Sequence, residues 1–257
     1  MDLVNRSRHI GGTGPAASDW ARDAALAAVA PITLDDLIAP GARVVVVAPH
    51  PDDEILTCGA LLQMVAARGE APLIVAVTDG EGSHPGSPAW PPERLRQTRT
   101  DETNAALAQL GIDASRVRRL HISDGGVTAA APELERQLAA IIEPGDIVVT
   151  TWLFDGHPDH ESTALACSTV ARQRGARVLQ APVWGWHWSA PGDGAMPLHQ
   201  ARKLPVPTDA LARKRAALGC FHSQIEGDAS SGAAPILPAF AMERLLHPFE
   251  LYFPDHA

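Results

Sequence analysis

Two short runs of histidine and aspartate hold the residues best suited to catalysis. The first, His50-Pro51-Asp52-Asp53-Glu54, directly follows an apolar, β-branched run over 43–48. The second, Asp155-Gly156-His157-Pro158-Asp159-His160, follows a similar run over 146–150. Charged and imidazole groups beside buried strands are costly unless they are paired or bind a metal ion. Each run therefore indicates a functional turn, and together they predict a divalent-metal site.

The spacing inside each run suits ligands for one ion. His50 and Asp53 lie three residues apart, close enough to reach the same ion across a strand-to-helix turn, while Asp52 points elsewhere. In the second run, His157 and His160 can supply a ligand and a second catalytic group. The structural alternatives are an Asp-rich helix cap after a proline turn for the first run, and an incidental His-x-x-His pair for the second. Both runs follow buried strands, which favours function.

Strand-like and helix-like segments alternate around these runs. The strand-like segments are 43–48, 73–78, 117–122, 146–150 and 177–183. The helix-like segments between them are 55–68, 93–110, 133–142 and 160–173. This alternation predicts an α/β, Rossmann-like fold with a mostly parallel sheet and helices on both faces. Ligands of such sheets bind at the carboxyl ends of the strands, where both runs are placed.

The regions outside this alternation are less regular. Residues 1–42 are predicted to form an N-terminal extension packed on the main domain, 43–257, with a helix over 18–29 capped by Ser18. Residues 184–207 are rich in Trp, Pro and Gly and are predicted to form a long loop. Loops of this length are usually functional or disordered.

Composition excludes several classes of protein. The 257-residue chain has a formal net charge of -9 and lacks the basic stripe of a nucleic-acid-binding protein. No run reaches the roughly 18 apolar residues of a membrane span, and no secretory signal is recognisable at the start. The three cysteines are widely spaced, which indicates a reducing compartment, most simply the cytoplasm. No G-x-S-x-G elbow or Walker A loop occurs. The sequence gives no indication of oligomeric state.

The two runs resemble the signature motifs of the PIG-L/LmbE family of zinc-dependent N-acetylglucosaminyl deacetylases. That family carries His-Pro-Asp-Asp-Glu and a later His-Pro-Asp-His, both present here without departure. It also tends to carry Thr-Asp-Gly-Glu, found at 78–81, and Arg-x-x-Glu, found at 99–102. A family Pro-Asp-Gly reads Ser123-Asp124-Gly125 here and is a looser match. The resemblance extends from about residue 43 to the Ser223-Gln224 region.

The resemblance implies a role for each residue of the two runs. His50, Asp53 and His160 would bind zinc, and Asp52 would be the general base. His157 would stabilise the oxyanion or act as general acid. Three protein ligands leave one position open, as in catalytic zinc sites, although two histidines and one carboxylate also suit Fe²⁺.

The expected reaction is hydrolysis of an N-acyl amide, with N-acetyl favoured, on a small-molecule amino sugar or a glycoconjugate. Two alternatives stay open. One is a metal-dependent hydrolase of another small amide or ester. The other is a non-catalytic metal-binding protein of the same fold.

Three residues outside the runs are candidate substrate contacts. Arg99 can bind substrate or the oxyanion, or it can pair with Glu102 on a helix surface. Asp124 can bind sugar hydroxyls, or it can serve only to form a turn before glycine. Trp186 can stack on a sugar, or it can pack in the core under a long loop. The segment 222–224 carries no assigned role, and loops 80–93 and 184–207 are expected to select the substrate.

Overall fold

A seven-stranded sheet organises the molecule, which a computed structural model describes for residues 8–254. The strands are β1 Val44–Ala48, β2 Leu73–Thr78, β3 Val117–Ile122, β4 Ile147–Thr151, β5 Arg177–Ala181, β6 Arg202–Pro205 and β7 Phe249–Pro254. Their order in the sheet is β3-β2-β1-β4-β5-β7-β6. Strands β1 to β5 are parallel, and β7 runs antiparallel to both of its neighbours. The predicted α/β fold with a mostly parallel sheet is confirmed.

Helices cover both faces of this sheet. They are α1 Ala17–Ala21, α2 Ala24–Ala27, α3 Leu34–Leu37, α4 Asp53–Ala67, α5 Pro92–Gln109, α6 Ala131–Ala139, α7 Pro158–Arg174, α8 Gly185–Trp188, α9 Thr208–Leu218, α10 His222–Ile225 and α11 Ala239–Glu243. Helices α4 and α5 pack in the core on one face, and α6 and α7 pack on the other. None of the helices within 8–254 is both long and apolar enough to cross a membrane.

The valine run of β1 explains why the sheet is buried on both faces. Successive side chains of a strand point to opposite faces. Val44 and Val46 join the core that contains α4, and Val45 and Val47 join the core that contains α7. All four are at most 2% exposed. A continuous apolar run is therefore the pattern that a central parallel strand requires.

Strand order places the two functional runs side by side. From β1 the chain moves outward through β2 to β3, and it then returns to β4 on the other side of β1. The strand order therefore changes its direction of progression between β1 and β4, which are parallel, hydrogen-bonded neighbours. Such a switch point opens a crevice at the carboxyl ends of the strands. Both runs begin at this crevice.

Two regions depart from the predictions. The helix expected over 18–29 is two short helices, α1 and α2, because the Asp23 side chain accepts a hydrogen bond from Leu26 N and starts a new helix. Ser18 lies inside α1, whose N-cap is Ala16. The expected loop 184–207 contains α8 and β6, and β6 is ordered by pairing with the distant β7.

Helix α4 is broken at Cys58, whose backbone has φ -145° and ψ 24°. A buried ion pair satisfies the backbone groups that the break leaves free. Glu250 accepts hydrogen bonds from Ala60 N and Leu61 N at 2.8 and 2.9 Å. Lys214 donates to Leu56 O at 3.0 Å and to Glu250 at 2.7 Å. The first turn of α4, which carries Asp53, is therefore oriented separately from the rest of the helix.

Candidate active site

The turn between β1 and α4 is held by its own carboxylates. Asp53 accepts a hydrogen bond from His50 N at 3.0 Å, and Glu54 accepts one from Asp52 N at 3.1 Å. Asp52 has a φ of 123°. Non-glycine residues rarely adopt this conformation, which costs on the order of 1–3 kcal/mol. The hydrogen bonds offset this cost and fix the directions in which Asp52 and Asp53 leave the backbone.

Three of the predicted ligands meet at nearly equal distances. His50 Nδ1 lies 3.2 Å from His160 Nε2 and 3.3 Å from Asp53 Oδ2. His160 Nε2 lies 3.2 Å from the same Asp53 oxygen. In tetrahedral zinc sites, bonds of about 2.0–2.2 Å place neighbouring ligand atoms roughly 3.3–3.5 Å apart. The triangle therefore fits one zinc ion.

The charges of this triangle also suit a cation. Burial opposes ionisation of Asp53, but the charge and hydrogen bonds of His160 and His50 lower its pKa far below the usual value. Burial opposes a charge on His160, but Asp53 and Asp155 raise its pKa to about 9. The buried Asp53 carboxylate is thus stabilised in its ionised form by positive charge at the triangle.

Two other groupings place possible ligand atoms within 4.8 Å of one another. They are His50–His157–His160 and His50–Asp124–Asp159. In the second grouping, the carboxylates contact Nε2 of His50 at 3.1 and 3.3 Å, the nitrogen opposite the triangle. These carboxylates therefore orient His50 rather than complete the ion's shell.

Both histidines of the triangle are backed by carboxylates. Nε2 of His50 contacts Asp124 and Asp159, and Nδ1 of His160 contacts Asp155 Oδ2 at 2.7 Å. Metal-ligating histidines commonly donate their second N–H to such partners, which fix the tautomer and the ring orientation. The other ring nitrogens, Nδ1 of His50 and Nε2 of His160, are therefore held at the triangle.

Asp155 is the most heavily bonded of these carboxylates. Its side chain is fully buried and accepts hydrogen bonds from three successive residues, Val183 N at 2.9 Å, Trp184 N at 3.1 Å and Gly185 N at 2.8 Å. One carboxylate thus joins His160 to the segment that begins α8. Neither this role nor that of Asp159 was predicted from the sequence, although both residues lie inside the second run.

The two carboxylate oxygens of Asp124 contact different parts of the site, namely His50 and the loop that contains Gly82. Oδ1 contacts His50 Nε2, and Oδ2 accepts a hydrogen bond from Gly82 N at 2.9 Å. Burial opposes its ionisation, but the hydrogen bond and charge of His50 lower the pKa of Asp124 to about 2. Asp124 lines the cavity, as expected of a substrate contact, yet its main contacts position His50.

Asp52 is paired with Arg99 in the same cavity as the triangle. Arg99 Nη2 lies 3.1 Å from Asp52 Oδ2, and the guanidinium also donates to the carbonyls of Gly80 and Pro51. Burial raises the pKa of Asp52 to about 7, although the charge of Arg99 opposes the shift. A carboxyl group with a pKa near 7 is matched to proton transfer at neutral pH. Glu102 does not partner Arg99, because its carboxylate binds Ser223.

His157 caps α7 with its own ring. Its Nδ1 accepts a hydrogen bond from Asp159 N at 3.2 Å, so the proton of the neutral ring lies on Nε2. Burial and the neighbouring His160 and His50 lower the pKa of His157 to about 4. The ring is therefore a neutral hydrogen-bond donor, and its centroid lies 4.8 Å from those of both neighbours.

The site opens into a cavity of about 350 Å³. Its lining includes all the predicted residues except one. Trp186 is 3% exposed and packs against Trp20, with ring centroids 5.1 Å apart, in the core. Trp184, two residues earlier, lines the cavity instead. The cavity is also lined by Gly82 and Ser83, from the loop 80–93 that was expected to select the substrate. Four further lining residues were not selected from the sequence: Val183, Gln224, Ile236 and Leu237.

The fold and the site define an α/β protein with a candidate catalytic metal centre at the switch point of its sheet. Residues 45–171, about half of the chain, match the family model described as PIG-L, GlcNAc-PI de-N-acetylase. This match confirms the resemblance to the PIG-L family that the two motifs predicted.

Curated relatives share one name, 1D-myo-inositol 2-acetamido-2-deoxy-alpha-D-glucopyranoside deacetylase. The protein from Mycolicibacterium gilvum (strain PYR-GCK) is 30% identical over 64% of this chain and 65% of its own length. This chain thus spans just under two thirds of that relative. The protein from Corynebacterium diphtheriae is 27% identical over 82% of this chain and 90% of its own length.

Solved structures show the same fold at low identity. The zinc-inhibited form of the teicoplanin deacetylase Orf2 is 21% identical, covers 84% of this chain and 100% of its own, and has a TM-score of 0.59. The A40926 pseudoaglycone deacetylase Dbv21 is 24% identical, covers 82% and 96%, and has a TM-score of 0.57.

Proposed function

We propose that this protein is a zinc-dependent hydrolase that removes the acetyl group from the nitrogen of an amino sugar or a glycoconjugate. One observation carries the proposal. His50, Asp53 and His160 form a metal-sized triangle, with the carboxylate of Asp52 and the ring of His157 beside it in one cavity. The curated relatives, named as deacetylases of an amino-sugar compound, support the substrate class.

The metal would be held by His50, Asp53 and His160. A zinc ion so bound lowers the pKa of a water ligand from 15.7 to about 7 and polarises a carbonyl group. Fe²⁺ is the second candidate for the site, because two histidines and one carboxylate also suit that ion.

Asp52 takes the proton of the attacking water. Its pKa of about 7 allows the carboxylate to accept this proton at neutral pH and to release it again. Arg99 contacts the Asp52 carboxylate at 3.1 Å and holds it in place. A second hydrogen bond, to Gly80 O, anchors Arg99 itself to the backbone. The carbon–nitrogen bond then breaks, the proton held on Asp52 passes to the leaving nitrogen, and the products are acetate and the free amine.

His157 stabilises the carbonyl oxygen as it becomes negative. Because Nδ1 accepts a backbone hydrogen bond, Nε2 carries the proton and can donate to that oxygen. A neutral imidazole suits this role, since it donates a hydrogen bond without giving up its proton. Of the two roles open from the sequence, the pKa of about 4 favours the oxyanion donor over the general acid.

Acetate release tests this function directly. Purified zinc-loaded protein is incubated with N-acetylglucosamine, N-acetylglucosaminyl-inositol and a panel of larger N-acetylated glycoconjugates, with Asp52→Asn as the inactive control. We expect stoichiometric acetate and free amine from at least one amino-sugar substrate. Release of acid from simple esters or non-sugar amides, but from no amino sugar, would instead indicate a hydrolase of another small amide or ester.

A further inference from the structure

A buried hydrogen-bond relay reaches the cavity from the side opposite the metal turns. Glu102, on α5, accepts hydrogen bonds from Ser223 N and Ser223 Oγ, both at 2.7 Å. Ser223 Oγ lies 2.9 Å from Gln224 Nε2, and Ser83 Oγ lies 3.4 Å from the same nitrogen. Gln224 is 1% exposed and lines the cavity. The relay therefore fixes a buried amide at the wall of the site.

The order of donors in this relay determines which end of the amide faces inward. Ser223 has one hydroxyl proton, and it donates that proton to the Glu102 carboxylate. Its oxygen can then only accept, so the group opposite must be the NH₂ of Gln224. A flipped amide would place two acceptors against each other. The carboxylate of Glu102 thus sets the orientation of Gln224 two bonds away.

The other end of the amide is left without a partner. Within residues 8–254, Oε1 of Gln224 accepts no hydrogen bond, whereas both nitrogen contacts are made to serine hydroxyls. Gln224 lines the cavity, so a molecule bound there can reach this oxygen. An atom so placed is a ready acceptor for a donor on a bound molecule.

We propose that Gln224 Oε1 accepts a hydrogen bond from one hydroxyl group of the sugar, and that this contact makes Gln224 a specificity-determining residue. The inference rests on the proposed function for the identity of the substrate. The relay holds Oε1 of Gln224 toward the cavity as an acceptor. The contact therefore favours a sugar that carries this hydroxyl group over one that lacks it. Sites built to hydrogen-bond a substrate hydroxyl reject analogues that lack it far more strongly than apolar pockets reject a missing methylene group.

The test compares the parent sugar with analogues that each lack one ring hydroxyl. In the wild-type protein, kcat/KM for one analogue should fall on the order of 10- to 100-fold. Gln224→Met keeps the side-chain length but removes the acceptor, so it should lower kcat/KM for the parent by a similar factor and leave that analogue unchanged. Gln224→Glu places a carboxylate oxygen against the accepting Ser223 Oγ, which breaks the relay, so this variant should also lose the discrimination.

Gln63→Met is the matched control. Gln63 is another buried glutamine, 5% exposed, whose amide contacts Gly59 O, Ala210 O and Arg213 away from the cavity. This variant loses a buried amide of the same size, so any general effect of instability appears in it too. It should keep the wild-type discrimination between parent and analogue.

Binding measurements separate failure of this inference from failure of the proposed function. The affinities of the free amino sugar and its deoxy analogues for the zinc-loaded protein are measured by calorimetry, whether or not acetate is released. If wild-type protein releases no acetate, the proposed function fails, and the calorimetric discrimination still decides the role of Gln224. Equal losses for every sugar in Gln224→Met, or discrimination that persists in it, would overturn the inference.

Discussion

The two sides of the cavity are built in opposite ways. The metal side, defined here as His50, Asp53, His157 and His160, comes from two short runs that follow the adjacent strands β1 and β4. The substrate side, defined as Ser83, Trp184, Gln224, Ile236 and Leu237, comes from loops far apart in the chain. On the metal side, carboxylates hold the imidazoles. On the substrate side, serine hydroxyls, backbone groups and apolar side chains predominate.

This difference predicts a division of labour. Groups that touch the reacting atoms need fixed geometry, and short connections from a central sheet supply it. Groups that touch the rest of the substrate lie on loops, and a change in such a loop changes these groups without disturbing the sheet. Substitutions on the metal side should therefore reduce kcat, and substitutions on the substrate side should change KM or the choice of substrate.

Loss of a ligand should have the largest effect. We expect His160→Ala to hold little zinc and to have no measurable acetate release, because two ligands remain where catalytic sites use three. Metal content is measured by atomic emission alongside activity. His199→Ala, at an exposed histidine, is the control and should retain both. Full zinc occupancy in His160→Ala would contradict the ligand assignment.

Loss of the base should separate activity from metal binding. Asp52→Asn is nearly isosteric but cannot accept a proton, so kcat should fall on the order of 10²–10⁴-fold while zinc content is unchanged. Asp53→Asn is the reciprocal variant and should lose zinc. The opposite pattern, with zinc lost from Asp52→Asn and kept by Asp53→Asn, would reverse the two roles.

Loss of the oxyanion donor should be smaller. His157→Ala should keep zinc and lose on the order of 10²–10³-fold in kcat with little change in KM. His157→Gln retains an N–H donor and should recover part of this loss. Because burial lowers the pKa of His157 to about 4, the alkaline limb of the pH profile should be the same in wild type and His157→Ala. Disappearance of that limb in the variant would show that His157 acts in its protonated form.

Truncation of the aromatic side chain on the substrate side should have the smallest effect. Trp184→Ala removes a ring that lines the cavity, and we expect KM to rise about 3- to 10-fold with kcat nearly unchanged. Trp186→Ala provides the contrast, because it removes a core ring packed on Trp20 and should lower thermal stability. A larger effect on KM from Trp186 than from Trp184 would contradict this division.

The metal side was predictable because its functional residues follow strands β1 and β4 closely in the sequence. A valine run predicts a central strand, and a central strand fixes where the next turn lies, so the position of His50 follows from local sequence. The same logic placed His160 after β4. Aromatic residue type, by contrast, could not distinguish Trp184 from Trp186, because burial of Trp186 depends on Trp20 in the N-terminal segment.

The substrate side was not predictable because contacts between segments far apart in the chain bring its residues together. Gln224 reaches the cavity because Glu102, 121 residues earlier, binds Ser223, and Leu237 N bonds to Gln224 O. Strands β6 and β7 were missed because they depend on long-range pairing: β6 pairs with β7, and β7 also pairs with β5. Long-range pairings of this kind leave no periodicity within either segment.

The break in α4 links the first functional run, which begins at His50, to β7, the last strand of the sheet in chain order. The amides of Ala60 and Leu61 find their acceptor in Glu250, 190 and 189 residues later. A ribosome releases the first functional run long before it adds this carboxylate. Until β7 joins the sheet, those amides lack their acceptor, at a cost of about 1–3 kcal/mol each if they are buried. The orientation of the turn that carries Asp53 therefore depends on a carboxylate that is synthesised after the other six strands of the sheet.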